Sequence, residues 1–98
     1  MSQPLDNFET NNRLRFEALM TDSRVGFTFA HLASKAAAGS EKRIRNQANA
    51  RKAYDAVLSG SRKMSLSEDE RQELTAGLDK LRFALEVLGE QFRDDMGL

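Results

Sequence analysis

Lys42, Arg45, Asn49 and Lys52 follow one another at steps of three, four and three residues, which sets them on one side of a helix. Cations at that spacing can hold phosphates, and arginine and asparagine are side chains that read base edges. His31 is the only histidine, and the chain has no cysteine. A lone imidazole with only carboxylates beside it is a poor zinc set. No Ser-His-Asp spacing, phosphate-cradling glycine loop or Glu-x-x-His pair is present. No enzyme, cofactor or metal is therefore expected.

The charges bear on how the basic row is read. Net charge over the 98 residues is zero, but it is sorted along the chain. Residues 40–63 hold Lys42, Arg43, Arg45, Arg51, Lys52, Arg62 and Lys63 against Glu41 and Asp55, a net of +5. Residues 64–98 hold nine acids against four bases, a net of −5. Neighbouring segments of opposite sign suit an antiparallel hairpin. On this reading the row on the second helix is a solvated face that complements the acidic third segment. Zero net charge, and no aromatics among the cations, place nucleic-acid binding second.

The elements that would position these residues are helical. Leu74, Leu78, Leu81, Leu85, Leu88 and Phe92 are spaced 4, 3, 4, 3 and 4 residues apart, the alternation of heptad d and a positions. The flanking e and g positions are Thr75, Gly77, Arg82, Ala84, Gly89 and Gln91. They are mostly small, where a two-stranded zipper would carry paired charges. The coiled-coil-like seam therefore predicts the core face of a bundle. Ser67 and Glu70 form a capping box that opens this third helix at about residue 68, and the pattern runs to about 94.

The first helix is expected over about 12–38. Its inward stripe is read as Leu14, Ala18, Val25, Phe29, Leu32 and Ala36, within an arc of about 60°. Gly26 sits mid-helix, where it permits a close crossing or a bend. Gly39 and Ser40 supply a stop and the next N-cap. The second helix is expected over about 41–58, with Ile44, Gln47, Ala50, Tyr54, Val57 and Leu58 inward, ended by Ser59, Gly60 and Ser61. Residues 1–11 are read as a flexible N-terminal segment, and 12–98 as one helical domain. The fold class is all-α, a three-helix antiparallel bundle of up-down-up topology. The polar, acidic start is unlike a signal peptide and no segment reaches the ~18 apolar residues of a membrane span. A cytoplasmic protein with no membrane partner is expected.

The stretch Ala50-x-x-x-Tyr54-x-x-Val57 is similar to the second helix of a tetratricopeptide unit. That repeat's first-helix signature does not align on Leu32 to Gly39, and no second copy follows at its period. The resemblance is one of architecture and implies a helical interaction module.

A surplus of apolar side chains points the same way. Phe16, Met20 and Phe27 stand together away from the Leu14 stripe, and Phe83 and Val87 stand opposite the leucine seam. These five are the candidate partner-binding residues. The function expected is a small protein–protein interaction module that forms a homodimer through them, or docks another helical protein. The alternative is a small nucleic-acid-binding or regulatory protein using the basic face of the second helix.

Overall fold

The computed structural model describes residues 4–92, with side chains from Thr10 onward. Its elements are α1 (Pro4–Lys35), α2 (Glu41–Arg62) and α3 (Glu68–Val87). Going up α1, Leu19 meets Gly60 and Gly26 meets Ala53, so α2 descends. Ser23 meets Gly77 and Gly26 meets Leu81, so α3 ascends beside α1. All three helices pack on one another, as the up-down-up bundle requires.

The joints follow from local chemistry. Ser40 caps α2 by accepting the Arg43 N–H at 3.1 Å. At the start of α3, Ser67 Oγ accepts the Glu70 N–H at 3.1 Å and Glu70 Oε1 accepts the Ser67 N–H at 3.0 Å. The capping box read from the sequence is therefore complete. Asn12 Nδ2 donates to the Ser65 carbonyl at 2.9 Å and ties α1 to the α2–α3 joint.

The helix bounds differ from the sequence expectation in four places. α1 starts at Pro4, well before residue 12, and runs through most of the segment read as flexible. Proline is tolerated at a first helical position because its missing N–H would have no partner there. α1 ends at Lys35, before the four-residue turn in which the Ser40 N–H reaches the Ala37 carbonyl and Gly39 takes φ +79°. α2 continues through Ser59–Ser61 to Arg62 because Gly60 is a packing site, not a stop. A Cβ there would lie 2.8 Å from Cδ2 of Leu19. α3 stops at Val87 instead of running to 94. Gly89 takes φ +101°, its N–H reaches the Glu86 carbonyl, and the Glu90 N–H reaches the Leu85 carbonyl. That pair of bonds is a Schellman ending. Residues 93–98, including Asp94 and Asp95, lie outside the described residues.

The core confirms the leucine seam and inverts the expected face of α1. Leu74, Leu78, Leu81 and Leu85 are buried, with Leu88 and Phe92 packed against them. On α1 the buried residues are Phe16, Met20, Ser23, Gly26, Ala30 and Ala33. Leu14, Val25 and Leu32, expected inside, are exposed. Phe29 is half-buried and packs on the core. On α2, Asn46, Ala50, Tyr54 and Val57 are buried, whereas Ile44 is 62 % exposed.

The reason is the short distance between α1 and α2. A Cβ on Gly26 would lie 2.8 Å from both Ala53 Cβ and Leu81 Cδ2. Large side chains cannot enter such a crossing, so the small ones face inward and the larger Leu14, Val25 and Leu32 are left outside. Buried Ser23 and Asn46 satisfy themselves within their own helices, donating to the carbonyls of Met20 (2.9 Å) and Lys42 (3.0 Å).

Two substitutions test this packing. Gly26→Ala gains about 1 kcal/mol of helix propensity. Its methyl would press on Ala53 Cβ, which the α2 backbone holds in place, and overpacking of that kind costs about 1–3 kcal/mol. A melting temperature below wild type is expected; an unchanged or higher one would show that the helices lie further apart. Leu81→Ala should lose about 2–5 kcal/mol in urea denaturation, the range for a fully buried leucine.

Candidate interaction surfaces

The five residues singled out from the sequence divide into two groups. Phe16 and Met20 are buried in the chain's own core, each only 8 % exposed. Phe27 is half-buried and packs against that core, with Lys80 Nζ 4.7 Å above its ring. All three line the shallow cleft between α1 and α3. One part, of about 440 Å³, has Phe16 and Met20 in its wall beneath Arg13, Glu17, Arg24 and Glu73. The adjoining part, of about 240 Å³, lies between Phe27, Arg24, Gly77 and Lys80. These three side chains serve the fold, and a partner would find little of them to cover.

Phe83 and Val87 are 68 % exposed each and stand one turn apart on α3. Beside them, sequence reasoning missed a longer surface. Leu14, Ala18, Val25 and Leu32 fall within an arc of about 40° on α1, and all four are exposed. This ridge lies opposite the buried arc of α1, as Phe83 and Val87 lie opposite that of α3. Both buried arcs face one core, so the two apolar patches point in different directions. The ridge could have been found by noting that Ser23, Gly26, Ala30 and Ala33 repeat at heptad spacing in small residues.

The most heavily bonded polar cluster closes the bundle. After Gly89 the chain turns back, and Arg51 Nη1 meets Glu90 Oε1 at 3.2 Å and the Gln91 carbonyl at 3.1 Å. Gln47 Nε2 donates to Glu90 Oε2 at 2.6 Å. The guanidiniums of Arg51 (4.2 Å) and Arg82 (4.9 Å) lie over the Phe92 ring, which makes an edge-type contact with Tyr54 at 4.9 Å. Arg51 also pairs with Asp55 at 3.3 Å. Arg51, which interrupts the apolar face of α2 in the sequence, is thus the residue that fastens the segment after α3.

The basic row behaves differently. Lys42, Arg45 and Lys52 are exposed, and no ion pair among the described residues involves them, Arg62 or Lys63. The expected neutralisation by acidic α3 does not occur. Among the described residues the single ion pair from α2 to the α3 side is Arg51–Glu90. His31 is exposed, and no group of three metal-ligating side chains occurs among the described residues. No described helix is long and apolar enough to cross a membrane. No protein-family model, curated protein or solved structure matches the chain.

Arg51→Met keeps the side-chain stem but removes the charge that holds Glu90, Gln91 and Phe92. A loss of about 1–2 kcal/mol is expected, from one charged hydrogen-bond set and a cation–π contact. Urea denaturation measures it, and a midpoint equal to wild type would show that the closing segment is held by other contacts.

Proposed function

We propose that the protein is a helical interaction module that pairs with a second copy of itself along the outer ridge of α1. The observation that carries this is the exposure of Leu14, Val25 and Leu32, at 58 %, 44 % and 40 %, in one row. Ala18, Val25 and Leu32 stand at successive heptad steps, the spacing by which one helix packs along another. From Leu14 to Leu32 the ridge is about 27 Å long at 1.5 Å per residue.

A second copy fits the ridge because the row is self-complementary. An antiparallel two-fold centred midway sets Leu14 against the second copy's Leu32, and Val25 against its Thr21. Such an isologous contact doubles each apolar gain. Two helices meeting over this length bury area at the lower end of the range for specific interfaces, so the association is weak and concentration-dependent. Phe83 and Val87, on a different face, form a separate and smaller patch.

Sedimentation across a wide concentration range tests the reading. Wild-type mass should rise from one copy towards two with concentration. Leu32→Glu should hold it at one copy without lowering the melting temperature, because the residue is already exposed. Phe83→Glu should still associate, and Phe27→Glu should destabilise the fold. A wild-type chain that stays monomeric at about 1 mM, where even an association of about −4 kcal/mol populates the dimer, would overturn the proposal.

A further inference from the structure

The basic row of α2 is a strongly charged surface whose cations make no ion pair among the described residues. Lys42, Arg45, Asn49, Lys52 and Ala56 fall within an arc of about 80°. No acid lies within that arc. Glu41 stands at its edge in the first turn, and Asp55 is held by Arg51. Lys63, at the C-cap of α2, continues the row past the helix end, where Arg15 of α1 lines one cleft with it. The row from Lys42 to Lys63 is about 30 Å long, close to the ~34 Å of one turn of duplex DNA.

We infer that this face of α2 binds the phosphate backbone of a nucleic-acid duplex. Three features select that ligand. The side chains between the cations are Ala48, Asn49, Ala56 and Ser59, so the helix can approach a groove closely. The same residues offer no bulky apolar group to insert among lipid tails, which disfavours a membrane surface. The cations stand on one side of a rigid helix, where they can meet phosphates along a groove, and Asn49 stands among them able to reach a base edge. The acids of α3 lie on another helix and leave this face positive while the net charge stays at zero.

The inference is independent of self-association and has its own test. Wild-type protein is titrated into a fluorescein-labelled duplex DNA of about 20 base pairs between about 50 and 200 mM salt, the interval over which phosphate contacts are lost. Five phosphate contacts predict a log–log salt slope of about −4.5. The double reversal Arg45→Glu/Lys52→Glu should weaken binding at least tenfold and flatten the slope by about 2. Circular dichroism shows whether that variant is folded. Arg24→Glu, which makes a charge change of the same sign on the far side of α1, should bind as wild type. Absence of binding at the low-salt end overturns the inference, as does equal weakening by Arg24→Glu. Capture by vesicles containing phosphatidylserine without capture of DNA overturns it as well.

Discussion

Where α1 crosses α2, the Gly26 backbone lies against the Ala53 methyl and the Leu81 side chain, leaving no room for a side chain at position 26. Gly26 meets Ala53 at the crossing and Leu19 meets Gly60 further along, while Ser23 faces Gly77 of α3. Small residues let the two backbones approach, and close approach gives many weak dispersion contacts. It also decides what α1 presents outward. Once the small residues face α2 and Phe16 and Met20 join the leucines of α3, the ridge of Leu14, Val25 and Leu32 has nowhere to go but out. The surface proposed for self-association is a consequence of that crossing.

The other end of the bundle is closed by chemistry of a different kind. The Schellman ending at Gly89 reverses the chain, and the returning segment is held through Arg51 by an ion pair, a carbonyl and an aromatic face. Phe92 thereby reaches the core without belonging to α3. A planar guanidinium suits this position because it can donate in its plane and stack on its face at once. An arginine amid the inward residues of α2 is accounted for by these partners.

Charge on the surface separates by helix without cancelling across helices. α3 opens with Glu68, Asp69 and Glu70, which suit the positive end of its dipole and its capping box. Lys42, Arg45 and Lys52 are exposed on α2 and make no ion pair among the described residues. Exposed pairs contribute little to stability in any case.

Helix number, the leucine seam, the capping box and the Ser40 cap were all legible in the sequence. Each rests on spacing within one helix or on a bond between residues three apart, and such signals depend on no neighbour. Which face of α1 points inward was not legible. Amphipathic reasoning favours the largest apolar stripe, whereas the crossing with α2 selects the smallest side chains, and that choice depends on how near the second axis lies. The same holds for Gly60, which resembles a helix stop until Leu19 is found above it, and for Phe92, which continues the heptad count but arrives by a turn. Periodicity within a chain determined which elements form; the distance between axes, a property of two helices together, decided which residues were left on the surface.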